Sequence, residues 1–252
     1  MGKVIAVTNQ KGGVGKTTTA INLAASLAAS DIRVLLIDSD PQGNATSGLG
    51  INKGSNRPSL YHALLGEVGI SDAIVKTDLE GLDVVPADKN LVGANLELVD
   101  LPDREFRLRE RLSQIKQNYG FILIDCPPAL DLLTLNALAA ADSVLIPIQC
   151  EFFALEGLTQ LQRIVALVQR NLNESLEIST VVLTMYDSRI TLSGDVAKEV
   201  KRHFENELCR TVIPRTVRLA EAPSFGQPIT VFDPTSKGAQ AYRALAEEIM
   251  NG

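Results

Sequence analysis

Residues 11–17 read KGGVGKT and lie between the apolar run VIAV at 4–7 and a helix-period segment at 17–29. Gly12, Gly13 and Gly15 let the backbone curl, with Val14 between them, so that amide N–H groups and a helix N-terminus face an anion. In such a loop Lys16 meets terminal phosphates and the Thr17 hydroxyl is placed for Mg²⁺. The usual spacing sets a further glycine five places before Gly15. Here Gln10 stands there, and a second lysine, Lys11, opens the loop. Three aspartates extend the pattern. Asp125 closes the run FILI and precedes Cys126-Pro127-Pro128, so strand, acid and rigid turn read as a Walker B carboxylate for a Mg²⁺-bound water. Asp38 and Asp40 lie two apart in LLIDSDPQGNATSGLG, on one side of the chain if the strand persists, where both can reach phosphates. Each of these two aspartates alone also suits a helix cap or a turn.

These side chains need elements to bring them together. Apolar, β-branched runs at 4–8, 33–37, 82–86, 121–125, 143–148 and 179–184 alternate with helix-period segments at 17–29, 90–99, 104–118, 132–140, 155–171, 194–206 and 237–250. This alternation predicts an α/β fold, a mostly parallel twisted sheet flanked by helices on both faces. VLLID and FILID are continuous apolar runs, as expected of strands buried on both sides. Ligands of open α/β sheets bind beyond the carboxyl ends of the strands, so Asp38, Asp40 and Asp125 are expected beside the glycine loop. Leu155, Leu158, Leu161, Ile164, Val165 and Val168 share one helical face, a packing stripe.

The 252 residues suit one domain spanning 1–252, since neither a Pro/Ser-rich linker nor a charge block divides them. With 45% hydrophobic and 21% charged residues the chain is an ordinary globular sequence, not a disordered one. The chain enters a strand at Lys3 without a basic-apolar leader, and no apolar run nears the ~18 residues needed to span a bilayer, so a cytoplasmic location is expected. Cys126, Cys150 and Cys209 are widely spaced and odd in number, which suits reduced thiols. A net charge of −6 argues against a nucleic-acid binder, but the charge is uneven. Between Arg189 and Arg218 seven Lys/Arg face four Asp/Glu, a local +3 that leaves −9 for the rest.

KGGVGKTT, LLIDSDPQGNAT, ILIDCPP and PIQCEFFALEGL, in this order, resemble the ParA/MinD class of deviant Walker ATPases. Within it the chain is most similar to the small chromosome-partitioning ParA proteins of the Soj type, through IPRTVRLAEAPSFGQPI to the last helix. The resemblance implies a P-loop ATPase that binds ATP and Mg²⁺ and hydrolyses ATP slowly. Lys11 matches the signature lysine, which in the family crosses a nucleotide-sandwich dimer to the partner's phosphates. Lys16 and Thr17 match the phosphate lysine and the Mg²⁺ ligand, with Gly12, Gly13, Val14, Gly15 and Thr18 contributing backbone or hydroxyl contacts. Asp40 matches the hydrolytic aspartate, Asp38 is expected to assist around Mg²⁺, and Asp125 matches the Walker B acid.

For the base, the chain shows Thr184-Met185-Tyr186-Asp187 where a guanine site would show NKxD, and Asp187 alone is weak support for GTP. The resemblance sets Met185, Pro214, Arg215 and Thr216 around adenine, although Pro214 also suits a purely structural turn. It further implies contact with nonspecific double-stranded DNA through Arg189 and Arg218. Lys198, Lys201 and Arg202 are added candidates that equally suit a solvated helix face. No aromatic interleaving or recognition-helix motif accompanies these cations, so contact with phosphates is expected. The implied partners are a second copy in an ATP-dependent homodimer and a ParB-type centromere-binding protein that stimulates hydrolysis, in a nucleoid-associated setting. The alternative is a MinD-like membrane-associated switch. It needs a basic amphipathic tail, and the sequence ends EEIMNG. Paired cluster cysteines for a reductase are absent, and a metabolic ligase would lack these long motifs outside the loop.

Overall fold

In the computed structural model, residues 2–53, 57–151 and 154–251 are described, with the side chains of 154–156 outside that description. The strands are β1 (Lys3–Val7), β2 (Val34–Asp38), β3 (Val75–Lys76), β4 (Leu82–Val85), β5 (Phe121–Asp125), β6 (Ser143–Gln149), β7 (Glu177–Tyr186) and β8 (Leu208–Pro214). They form one sheet in the order β3-β4-β2-β5-β1-β6-β7-β8. Every pairing is parallel except the short β3–β4 edge. The helices are α1 (Lys16–Ala28), α2 (Asn44–Gly48), α3 (Leu60–Leu65), α4 (Ile70–Ala73), α5 (Leu91–Glu97), α6 (Arg107–Ser113), α7 (Leu132–Ala140), α8 (Ala154–Asn171), α9 (Thr191–His203), α10 (Val217–Glu221), α11 (Ile229–Phe232) and α12 (Lys237–Asn251).

Alternate residues of each central strand feed opposite cores, because successive strand side chains point to opposite faces. Val4, Ala6, Leu35 and Ile37 join the core under α3 and α5 to α9. Ile5, Val7, Val34 and Leu36 join the core under α1 and α12. Continuous apolar strands and two helical layers are therefore one fact seen twice. The expected stripe on α8 packs as proposed at Leu158, Leu161, Ile164, Val165 and Val168, while Leu155 lies outside the described side chains. All three cysteines are free thiols.

The sequence reading is corrected in three places. The helix expected at 104–118 runs only from Arg107 to Ser113, after a turn in which Asp103 takes a left-handed φ of 52°, and a 3-10 turn follows at Lys116–Asn118. The helix expected at 194–206 starts and ends three residues earlier. Inside the basic segment lies an unanticipated edge strand, β8, whose LCRTVIP is only partly buried and carries no strict alternation. No helix among the described residues is long and apolar enough to cross a membrane.

Leu123 is fully buried on β5 between the two central neighbours β2 and β1. Leu123→Ala is expected to cost about 2–5 kcal/mol through lost burial and the cavity left behind, read as a lower urea midpoint.

Candidate nucleotide site

The register of the sheet makes the site. Asp38 and Asp125 are paired across β2 and β5, and Asp125 is paired with Val7, the last residue before the loop. Both carboxylates are fully buried, at the ends of neighbouring strands whose backbones lie about 5 Å apart. From Val7 the chain enters the glycine loop, where Gly13 and Gly15 take φ of 77° and 88° and α1 begins at Lys16. Those left-handed angles are open to glycine at little cost. A Cβ at Gly12 or Gly13 would meet nothing within 4 Å, so the space beside both glycines is open.

Two polar anchors hold the loop. Asn9 donates from Nδ2 to the Pro147 carbonyl on β6 (2.8 Å) and accepts the Lys11 amide on Oδ1 (3.0 Å). Thr184 on β7 donates its hydroxyl to the Val14 carbonyl (2.8 Å). The two lysines then part. Lys16 is buried and donates from Nζ to the Lys11 carbonyl (2.9 Å). Burial lowers its pKa, and Asp125, Cys126 and Asp40 oppose that shift. Lys11 turns outward, and its half-exposed ammonium pairs with Glu151, just beyond β6.

The aspartates differ as sharply. Asp38 accepts the Thr46 amide (2.7 Å) and hydroxyl (2.6 Å) on Oδ2, and the Asp40 amide (3.3 Å) on Oδ1. Burial nevertheless pushes it up to about 6, the Thr46 and Asp40 hydrogen bonds pulling the other way. Neither oxygen of Asp125 reaches hydrogen-bond geometry with any described group. Burial and the neighbouring Asp38 hold its pKa well above the carboxylate range, an effect that the approach of the Thr17 hydroxyl and of Lys16 offsets only in part. Asp40 is partly exposed on the turn that follows, its Oδ1 accepting the Gln42 amide (2.9 Å). Among the described residues no three acids, histidines or cysteines gather as a metal cluster. The donors that remain, an orphaned buried carboxylate and the Thr17 hydroxyl, are hard oxygen ligands. They fit a divalent cation that keeps most of its waters and takes phosphate oxygens.

A cavity of about 560 Å³ adjoins the loop at Gly15 and Thr18. Its walls include Met185, Pro214, Arg215 and Thr216, all four expected from the sequence, with Tyr242 of α12. Met185 takes a left-handed φ of 50° as β7 ends, and the Arg215 amide bonds the Tyr186 carbonyl (3.1 Å), tying the two wall segments together. A larger groove, about 1000 Å³, lies at the opposite end of the sheet, by Lys3 and Glu177, the first residues of β1 and β7. Strand starts carry none of the loop chemistry, so it is not the nucleotide site.

The five basic candidates do not form one compact patch. Arg189 lines the cavity beside the loop and is held by both oxygens of Asp187 (2.9 and 2.7 Å), which depresses the Asp187 carboxyl to about 2. Arg218 lies over the Phe232 ring and pairs with Glu221 and Asp233 (3.2 Å each). Lys198 and Arg202 pair with Asp195 and Glu199 one turn back on α9. Lys201 lines the far groove, at the other end of α9 from Arg189.

A family model described as an AAA domain matches residues 2–178. The chain is 55% identical over 251 residues to the chromosome partitioning protein ParA of Caulobacter vibrioides, covering 99% of this chain and 94% of that one. The chain belongs to the ParA/MinD family of ATPases. It lies on the ParA/Soj chromosome-partitioning side, since the sporulation initiation inhibitor protein Soj of Bacillus subtilis is 56% identical, with 99% and 98% covered. In structure it is similar to cobyrinic acid a,c-diamide synthase from Mycobacterium smegmatis with bound ADP and magnesium (TM-score 0.87, 39% identity, 100% and 95% covered).

Asn9, Thr46, Glu151 and Thr184 carry the site's geometry without having stood out from the ParA-type motifs. Asn9, Glu151 and Thr184 are polar residues two positions from the end of β1, β6 and β7, the one local signal that could have marked them, whereas Thr46 stands eight residues past β2 and has no such signal.

The raised carboxylates set a pH dependence. A carboxyl whose folded pKa lies above its ordinary 3.8 binds more protons folded than unfolded, so its contribution to stability falls as pH rises from 3.8 through about 6 for Asp38, and in the same direction for Asp125. Ligand-free stability should drop by on the order of 1–3 kcal/mol from pH 5 to pH 7.5. Urea titrations across this range should show the slope flattened in Asp125→Asn.

Proposed function

We propose that the chain, as one P-loop domain over 1–252, is an ATP-driven partitioning switch. ATP and Mg²⁺ complete the site, two chains close face to face over two nucleotides, the dimer holds nonspecific DNA, and hydrolysis returns a free monomer. The observation that supports this reading is the split of the two loop lysines, Lys16 buried against its own loop and Lys11 turned outward to pair with Glu151. The partitioning role is supported by relatives at 55% and 56% identity, and the cofactors by the ADP and magnesium named for the Mycobacterium smegmatis structure. The synthase activity in that name belongs to that protein, at 39% identity.

Each residue has a part in this reading. Lys16 leaves the Lys11 carbonyl for the terminal phosphates, joined by the amides of Gly12, Gly13, Val14 and Gly15 and the hydroxyl of Thr18. Thr17 and Asp125 hold Mg²⁺, with Asp38 and Asp40 close by. When bound, Mg²⁺ offsets charge on the phosphate oxygens. Asp40 orients the attacking water, and Lys11 of the second chain adds positive charge where the transferring phosphoryl group is most negative. The cavity of Met185, Pro214, Arg215 and Thr216 takes adenine. Arg189 and Arg218, with Lys198, Lys201 and Arg202, meet DNA phosphates. Dimerisation doubles these contacts, and counterion release makes affinity grow with each phosphate neutralised. A ParB-type partner stimulates an otherwise weak hydrolysis, and the cycle runs in the cytoplasm on the nucleoid.

DNA retention measured with ATP, ADP and no nucleotide over a salt series tests the switch. Retention should require ATP, and equal retention in all three states would sink the model. Arg189→Ala and Arg218→Ala should each weaken retention and lower the slope of log affinity against log salt by about one per arginine removed. For the loop, Lys11→Ala should keep nucleotide but lose the ATP-bound dimer in light scattering. An unchanged dimer fraction would remove the cross-chain role.

A further inference from the structure

The turn that carries Asp40 is built as a closed clamp. The chain leaves β2 at Asp38, turns through Asp40 to Gly43, and enters α2 at Asn44. One carboxylate spans this loop. Asp38 holds the Asp40 amide with Oδ1, and with Oδ2 it holds both the amide and the hydroxyl of Thr46, eight residues from it. A hydroxyl has one proton, and here it goes to Asp38 (2.6 Å), so the oxygen's lone pair is left to accept the Ala87 amide (3.0 Å), just past the end of β4. Thr46 is fully buried, so neither bond is exchanged with water. Within the clamp the Asp40 carbonyl accepts the Gly43 amide (2.8 Å). Gly43 has a φ of 61°, and a Cβ there would stand 2.9 Å from Lys53 Cδ. The turn is therefore fixed at both ends and crowded in the middle, with Asp40 near enough to Lys16 to act on its charge.

We propose that Thr46 is a positioning residue for ATP hydrolysis, setting the place of Asp40 through its paired bonds to Asp38 and Ala87. The proposal rests on Asp40 being the water-orienting group. Thr46 is fully buried behind the turn and acts through Asp38 on the place of Asp40. Its hydroxyl oxygen joins Asp38 to the end of β4, and the other oxygen of Asp38 holds the Asp40 amide, so that the Asp40 turn is held in one place beside the phosphate loop. Valine has the same shape and can make neither hydroxyl bond; it would leave the buried Ala87 amide without its acceptor and Asp38 Oδ2 with the backbone amide of residue 46 alone. Serine can make both. Displacing a catalytic group by about 1 Å is enough to cost up to ~10²-fold in rate.

The test is single-turnover ATP hydrolysis at saturating ATP, with nucleotide affinity from a fluorescent ATP analogue and thermal stability, for Thr46→Val, Thr46→Ser, Asp40→Ala and the parent chain. Thr46→Val should lose at least about tenfold in rate with nucleotide affinity within about threefold of the parent. Thr46→Ser should recover to within about threefold of the parent rate, even if it is the less stable of the two for want of the buried methyl group. A Thr46→Val chain as fast as the parent, beside an inactive Asp40→Ala, would overturn the proposal while leaving the ATPase reading intact. Equal loss of rate and nucleotide affinity without rescue by serine would mean that Thr46 only supports the fold, and would overturn it too. Asp40→Ala hydrolysing at the parent rate would instead remove the reading on which it rests. Should Thr46→Val fail to fold, Thr46→Ala carries the same comparison with serine.

Discussion

Charge without water, held at the carboxyl end of the sheet, is the constraint around which this molecule is organised. Parallel strands buried on both faces leave only their ends for chemistry, and three of the groups placed there, Lys16, Asp38 and Asp125, are all buried. Burial disfavours the charged form of each. The chain answers for two of them itself, giving Lys16 the Lys11 carbonyl and Asp38 the Thr46 amide and hydroxyl. It leaves Asp125 without a well-aligned hydrogen bond among the described residues, the Thr17 hydroxyl only approaching it. Such a site is complete only with a ligand that brings both anionic oxygens and a cation, and its dipoles are set before that ligand arrives.

The same constraint explains why two lysines on one loop can do different things. Asn9 and Thr184 tie the loop to β6 and β7 at 2.8 Å each, so its shape does not depend on a bound phosphate. With the loop fixed, Lys16 lies buried with its ammonium on the Lys11 carbonyl, while Lys11, at the loop's start, turns outward to Glu151. An ammonium already paired within its own chain is not pulled at random onto any passing anion, and a stronger and better aligned one must displace Glu151 to take it.

Positive charge counted along a segment is a different quantity from a positive patch. The stretch from 189 to 218 carries +3, yet Arg189, Lys198, Arg202 and Arg218 each sit beside a carboxylate, and α9 carries Lys201 to the opposite end of the sheet from Arg189. Exposed pairs of this kind are individually weak, about 0–1 kcal/mol, and yield readily to a polyanion. They dampen attraction for any single phosphate while leaving a dense row of phosphates able to recruit several cations together.

Much of this was legible in the sequence, for a local reason. Glycine spacing, a lysine and threonine at a helix start, and acids ending apolar runs all act over a few residues. Strand, loop, helix and the positions of Lys16, Asp38 and Asp125 therefore follow from the sequence by itself, as do the two helical layers that continuous apolar strands demand. What only the tertiary structure decided are the contacts that depend on which strands lie side by side. β8 is partly buried at an edge and shows no clear period, and β3 is two residues long, so neither announced itself. The resemblance sets Asp38 beside Mg²⁺, and the tertiary structure adds that its carboxylate holds Thr46, whose hydroxyl accepts the amide of Ala87, 41 residues further on. Glu151 reaches Lys11 only because β6 pairs with β1, and the cavity beside Gly15 exists only because β8 closes against β7. Local patterns state which groups a chain owns, but a hydrogen bond needs a partner within about 3 Å, and the order of strands in the sheet chose those partners.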